Sequence, residues 1–189
     1  MVTIMQLVDL PEDVMNRFGL EFLHEVRSCI FQKDIPKMTI SGRIIGPFKS
    51  GSKVELPNWV IEVLLKEQII EIDSQNEYES SRNLQNIHRA EERHPHKMQA
   101  IPPLLYQALC RKIARLQNDK TILDKRRYDE IERTQQMLPF LVQTRLSKIL
   151  RIAKSGALQD MRNEMTLEER WLGEQLTSLL SDWRKELLE

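Results

Sequence analysis

The chain is 189 residues long and carries 28 basic and 28 acidic side chains, for a formal net charge of zero. That length holds one large or two small domains, each with its own core. The balance excludes a molecule drawn as a whole onto nucleic acid or an anionic membrane, and the two parts divided after Asp73 differ only mildly, with 8 Lys and Arg against 11 Asp and Glu in the first and 20 against 17 in the second.

The start of the chain, Met1 to Pro11, has no basic leader, and no apolar run approaches the ~18 residues of a membrane span. A soluble intracellular protein is expected. From Met15 to Arg27 the apolar positions Met15, Phe18, Leu20, Phe22, Leu23 and Val26 mix helical spacing with a break at Gly19. Val26 to Phe31, Met38 to Ile40 and Arg43 to Phe48 are short and apolar, are bounded by Asp34, Pro36 and Gly42, and read as strands. Ser41-Gly42 supplies a two-residue hairpin turn.

Gly46 to Ile70 then describes a tight glycine turn delivering a strand end onto a helix opened by Pro57, where the missing proline N–H costs nothing. The helix runs to Lys66, and β-branched Ile69 to Ile72 closes the unit as a strand. Gly46 and Gly51 have the spacing of the outer glycines in a phosphate loop, G-x-x-x-x-G-K-[ST]. Ser52, Lys53 and Val54 follow in the wrong order, since that loop needs its lysine directly after the second glycine. Lys49 and Lys53 are expected in solvent.

Residues 1–73 are thus a small α+β, β-rich domain. Asp73 to Ser81 is polar and reads as tether, giving a linker over 74–83 and a helical bundle domain over 84–189. The fold class is α+β, predominantly α. In the second domain Leu84 to Arg93 forms a short helix broken by Pro95. Pro102-Pro103 opens a helix with Leu105, Leu109, Ile113 and Leu116 at helical spacing. A long periodic stretch runs from Thr121 through Ile131, Leu138, Leu141, Val142 and Ile149 to Ala153, kinked or split by Pro139 and stopped by Gly156. In the last helix, Thr166 to Leu188, Thr166 and Glu169 form a capping box. Its stripe of Leu172, Leu176, Leu179, Leu180, Trp183 and Leu187 needs a partner surface, either the bundle itself or a second subunit, the latter favoured by Trp171 and Trp183.

Cys29 and Cys110 lie far apart inside apolar patterns, which argues for a reducing compartment and against a disulfide framework or zinc knuckle. His88, His94 and His96, with Glu91 and Glu92 between them, are the only cluster of metal-ligand types. A helical zinc site wants two histidines four apart on one face, whereas His88 and His94 are six apart with Pro95 beyond. The spacing favours a solvated linker edge over a metal enzyme. Arg145, Lys148, Arg151 and Lys154 recur at steps of three. They read first as cations complementing the end of a helix before Gly156, with His24 and Arg126-Arg127 as further exposed helix residues. The alternative is a phosphate strip on a nucleic-acid-binding regulator, without the aromatics that single-strand binders stack on. No serine, cysteine or carboxylate pair has a catalytic partner, so the chain does not read as an enzyme.

Taken together, Gly46-Pro47-Phe48, Gly51, Val54-Glu55-Leu56-Pro57 and Trp59-Val60, followed by a helix and closing strand, resemble the β-rich domain of GINS subunits. The polar connector, the segment Leu84 to Glu92, Pro102-Pro103 ahead of Tyr106, the basic helix at Arg145-Leu146-Ser147-Lys148-Ile149 and the final amphipathic helix are similar to the larger α-domain of that family. The resemblance covers nearly all of the chain from Val26. With the β-rich domain first, it points to the branch of the second and third eukaryotic subunits in a compact archaeal version. Asn58 departs from the pattern where an apolar residue is common, and Leu105 where an aromatic often precedes the tyrosine. The resemblance implies a scaffold without cofactor or metal. Two copies would join two of a paralogue in a tetramer that holds the MCM helicase, a RecJ-like factor and, in some archaea, primase, with DNA met only indirectly or weakly. Leu138, Leu141, Trp171, Leu172, Leu176 and Trp183 are then expected in or near the surface that joins subunits.

Overall fold

The computed structural model describes residues 10–40, 42–75, 77–118 and 125–188. These are mostly helical, with six α-helices and a three-stranded antiparallel sheet. They fall into two compact units, Gly19–Glu77 on one hand and, on the other, the residues before Gly19 together with those from Tyr78 onward.

Helix α1, Pro11–His24, opens on proline and carries Glu12 and Asp13 in its first turn, where carboxylates favour the positive helix end. Gly19 does not break it, contrary to the expectation from sequence. A helical glycine costs roughly 1 kcal/mol, and Val14 and Phe22 on either side of it are buried.

In the smaller unit β1, Val26–Phe31, is the middle strand of the order β4-β1-β5, antiparallel to both neighbours, with Cys29 opposite Val54 and Ile72. A central strand covered on both faces loses the polar alternation of a half-exposed one, and Arg27, Ser28, Cys29 and Phe31 are all buried. Strand β4 is Lys53–Pro57 and β5 is Ile70–Ile72. β4 is not among the three strands expected before the helix, where Gly46 onward reads as a glycine turn delivering a strand end onto it. Pro57 accordingly ends a strand and precedes helix α2, Asn58–Lys66, rather than opening that helix. A separate pair, β2 at Met38–Ile40 and β3 at Arg43–Ile45, forms a hairpin whose Ser41 lies outside the described residues. The strand expected to reach Phe48 stops at Ile45, and Phe48 makes only an isolated bridge to Ile35.

The core of this unit joins Cys29, Phe31, Leu56, Val60, Ile61, Leu64 and Ile70. Phe48, Gly51 and Trp59 support it. Phe48 stacks on Phe31 with ring centroids 4.5 Å apart, Trp59 packs against the core, and Gly51 donates its N–H to the Phe31 carbonyl at 2.7 Å. Gly46, at φ +90°, precedes a cis peptide to Pro47. A side chain there would press on the Pro36 carbonyl at 3.2 Å. Pro47 and Glu55 are exposed.

The larger unit is a helical assembly. Helix α3, Ser81–Arg93, is N-capped by Ser80, and Tyr78 packs against the same core as Leu84. The polar stretch expected as linker over 74–83 therefore already includes the cap and first turn of α3. Helix α4, Leu105–Asn118, begins two residues after Pro103. Helix α5, Lys125–Ser155, runs through Pro139 without splitting, while Thr121 to Asp124 lie outside the described residues. Gly156, at φ +77°, ends α5 and returns its N–H to the Ile152 carbonyl. Helix α6 spans Leu167–Leu188. α5 packs against α3, α4 and α6. One core joins Leu84, Ile87, Ile101, Leu105, Leu109 and Leu141, and a second joins Met98, Ile149, Leu158 and Met165. Gly173 lets α6 come close, since a Cβ there would stand 2.6 Å from Leu158 Cδ1.

Candidate functional site

The helical unit is organised around charge. On α5 the apolar stripe Leu141, Arg145, Lys148 and Ile149 faces inward, and all four residues are buried, with Arg145 0% exposed. On α3 the stripe Leu84, Ile87 and Glu91 does the same, and on α6 Glu169 is buried one turn before Gly173. The charges meet. Arg145 Nε and Nη2 donate to the two oxygens of Glu169 at 2.5 and 2.7 Å, and Nη1 donates to Glu91 Oε1 at 2.5 Å. The remaining donors reach the carbonyls of Gln99 at 2.9 Å and Glu164 at 2.8 Å. Lys148 Nζ pairs with the other Glu91 oxygen and donates to the carbonyls of His94 at 2.7 Å and Lys97 at 2.9 Å. A planar guanidinium suits such a site because its fork matches a carboxylate face on.

Glu169 closes the cluster from the α6 side. The capping box forms as read from sequence, with the Thr166 N–H donating to Glu169 Oε2 at 3.0 Å and the Glu169 N–H to Thr166 Oγ1 at 3.2 Å. Tyr106 donates its hydroxyl to Glu169 Oε1 at 2.7 Å. Burial, then the charge and hydrogen bond of Glu169, push the Tyr106 phenol well above its ordinary value. Burial acts to lower the Arg145 pKa, but the hydrogen bonds and charge of Glu169, with the charge of Glu91, outweigh it and hold the guanidinium above its ordinary value. Two cations and two carboxylates balance, so the cluster is neutral in sum. Each nitrogen of the Arg145 guanidinium is committed to a carboxylate or a carbonyl within it.

These positions correct the reading of Arg145 to Lys154 as one solvated or phosphate-facing strip. Arg145 and Lys148 turn into the bundle, and only Arg151 and Lys154 are exposed. Part of the signal lay in the sequence, since each buried charge stands on the apolar stripe of its helix; that the cations on α5 face acids on α3 and α6 emerges only in the fold. Lys112 shows the same pattern on α4, buried at a stripe position and paired with Glu130 at 2.8 Å.

The expected interface residues separate. Leu141 is wholly enclosed and Leu138 packs against its core, so the first offers no surface. Trp171, Leu172 and Leu176 are half-buried, and the Trp171 indole N–H is enclosed without an acceptor. Trp183 is 60% exposed, with Leu179 at 65% and Leu187 at 63%. Among the described residues, none covers the outer end of the α6 stripe.

The histidines do not converge. His88 pairs with Glu92 at 3.4 Å and tilts over the Phe140 ring at 4.5 Å. His96 Nδ1 accepts from Arg151 Nη1 at 3.0 Å. No group of three or more His, Cys, Asp or Glu among the described residues is placed to hold a metal ion. Both cysteines are free; Cys29 is buried, and burial pushes its thiol up to about 11, whereas Cys110, expected in an apolar pattern, is exposed on α4. No helix among the described residues is long and apolar enough to cross a membrane. The sequence matches no protein-family model, and no curated protein matches it.

Proposed function

We propose that the chain is a non-enzymatic scaffold subunit of the GINS type, with a β-rich domain over 1–73 tethered ahead of a helical domain over 84–189. It assembles through the outer half of α6 into a two-plus-two tetramer with a paralogue. In that assembly it supports DNA unwinding by holding the MCM helicase and a RecJ-like factor, and primase in some archaea. The observation that carries the reading is the bare stripe Leu179, Trp183 and Leu187 on a helix whose inner half is tied into the bundle. Exposed apolar residues in a row mark interaction surfaces, and a tryptophan at the centre of such a surface is a typical hot spot. The residues resembling the family, Gly46, Pro47, Phe48, Gly51, Glu55, Leu56, Pro57 and Trp59, act within the β-rich domain, and Tyr106 acts beneath α6.

The test is the mass in solution by light scattering, for the chain alone and co-expressed with a candidate GINS paralogue. A tetramer with the paralogue is expected. Trp183→Ala should weaken it by roughly 30-fold or more, as a loss of about 2 kcal/mol implies, without changing the melting of the single chain. A monomer indifferent to the paralogue, or an assembly untouched by Trp183→Ala, refutes the proposal.

A further inference from the structure

The ends of α3, α5 and α6 bring to one place cations that the sequence scatters over ninety residues. Lys148, from inside the bundle, holds the carbonyls of His94 and Lys97, so the turn after α3 is fixed against the last two turns of α5. One helical turn further along α5, Arg151 donates to His96 Nδ1 at 3.0 Å and to the Pro95 carbonyl at 3.5 Å. Arg184 of α6 donates to the Lys154 carbonyl at 3.0 Å. Arg93, Lys97, Arg151, Lys154 and Arg184 are all exposed. The carbonyls at the end of α5 also have local donors, with Ile152 O accepting from Gly156 N and Ser155 Oγ. The heads of Arg151 and Lys154 are not needed for the Ile152 carbonyl, and the Lys154 carbonyl is served by Arg184.

The charge is one-signed along most of this face. From Arg93 through Asn118 and from Arg133 through Gln159 the chain contains no Asp or Glu. The exposed acids that flank these stretches or lie on the end of α6 include Glu92, which pairs with His88, Asp160, and Asp182 and Glu186, of which Asp182 accepts from Ser178. The neutral buried cluster adds no opposing field. Thus a chain of zero net charge carries a basic face because Arg151 and Lys154 remain outside on a stretch without acids, while the buried cluster of Arg145, Lys148, Glu91 and Glu169 is neutral in sum.

We infer that this face, built from Arg93, Lys97, Arg151 and Lys154, is a nucleic-acid contact that grips the phosphate backbone of a duplex without reading its sequence. Two arginines and two lysines are the residue types that bind phosphate oxygens. No exposed Phe, Tyr or Trp lies on the turns that carry these four cations to stack on single-strand bases; the exposed His96 ring is held by Arg151, and the exposed Trp183 stands on α6. An acidic peptide would need a strand edge or apolar pocket to fix it, whereas Leu150 is the one large apolar side chain exposed on these turns. The inference does not depend on assembly through α6.

The test uses the full chain and a labelled DNA duplex of about 20 base pairs, read by fluorescence anisotropy from about 50 to about 200 mM salt. Four phosphate contacts give a slope of log K against log salt near −3.6, a loss of roughly 100-fold across that range. Arg151→Ala with Lys154→Ala should lower the slope by about two. Lys33→Ala with Lys49→Ala, a matched loss of exposed charge in the other unit, should leave it unchanged. Thermal melting checks that both pairs keep the fold. Equal loss in both pairs, or no duplex binding at the lower salt, overturns the inference. Polyglutamate binding as tightly as the duplex at equal charge also overturns it and assigns the face to an acidic polypeptide.

Discussion

Replacing Arg145 with leucine would remove the one side chain that ties α3, α5 and α6 together. The guanidinium makes five hydrogen bonds within 2.9 Å, to Glu91, to both oxygens of Glu169 and to the carbonyls of Gln99 and Glu164. In Arg145→Leu, Glu91 keeps Lys148, and Glu169 keeps the Thr166 N–H and the Tyr106 hydroxyl. Glu169 is then a buried carboxylate with no cation. Breaking a buried pair by removing one partner costs about 3–5 kcal/mol, because the charge left behind stays desolvated. Against a whole-domain stability of about 5–15 kcal/mol, that brings the helical unit close to unfolding. Urea denaturation followed by circular dichroism reads the loss. The companion Arg145→Leu with Glu169→Leu should recover part of it, because the stranded charge is then gone and the two sites are in direct contact and therefore non-additive. A loss under about 1 kcal/mol for the single variant would show that the guanidinium is solvated, and the enclosed cluster would be wrong.

In the smaller unit Asn58 donates its side-chain amide to the Phe22 carbonyl at 2.8 Å and to Glu25 Oε2 at 3.4 Å, while its backbone N–H donates to the Glu25 carbonyl at 2.9 Å. Asn58→Leu, the apolar choice the family resemblance would favour, should therefore destabilise by about 1–3 kcal/mol in urea, since buried acceptors lose their donor; an unchanged or higher midpoint refutes the role. Glu168 is 9% exposed, and burial raises its pKa against the opposing hydrogen bonds of Gln107 and Thr166. The folded state thus holds the Glu168 proton to higher pH than the unfolded state does. Above the folded pKa the burial penalty is complete; it is relieved as pH falls through that value and vanishes below the unfolded one. Glu168→Gln should then be more stable than the native chain near pH 8, with the gain shrinking toward pH 4. A gain that is constant across that range, or that grows on acidification, refutes the assignment.

What was legible in the sequence followed from local rules. Thr166 as a cap, Gly156 as a stop and the strand at Val26 to Phe31 each depend on residues within a few positions, and the structure has them. Strand β4 was missed although Lys53, Val54, Glu55 and Leu56 alternate polar and apolar, because the run is short and sits between a glycine turn and Pro57; Cys29, the partner of Val54, is 25 residues away, and pairing with β1 decides its state. Pro139 was read as an interruption because proline lacks an N–H, yet it is exposed on α5, where solvent can serve the freed carbonyl. Arg145 was misread for a related reason. A basic residue every third position describes equally a solvated strip and a strip that half enters the core, and only the partners, 54 and 24 residues away, separate the two.

The division of that strip links the two surfaces. A buried ion cluster seldom adds net stability over apolar packing of the same volume, so the value of Arg145 and Lys148 lies in what they position. Arg145 engages Glu169 at the start of α6 and thereby sets the direction of the helix that carries Trp183 some four turns on. Lys148 engages the turn after α3 and thereby holds Lys97 and His96 beside Arg151. An apolar substitute at either position could fill the space, but it could not bind in fixed directions the two carboxylates and two carbonyls that Arg145 holds, or the carboxylate and the His94 and Lys97 carbonyls that Lys148 holds. If both surfaces work as inferred, Lys148→Met should weaken duplex binding through the displaced turn while leaving the α6 assembly intact. Loss of both together in a folded Lys148→Met protein would show instead that the cluster acts as one indivisible unit.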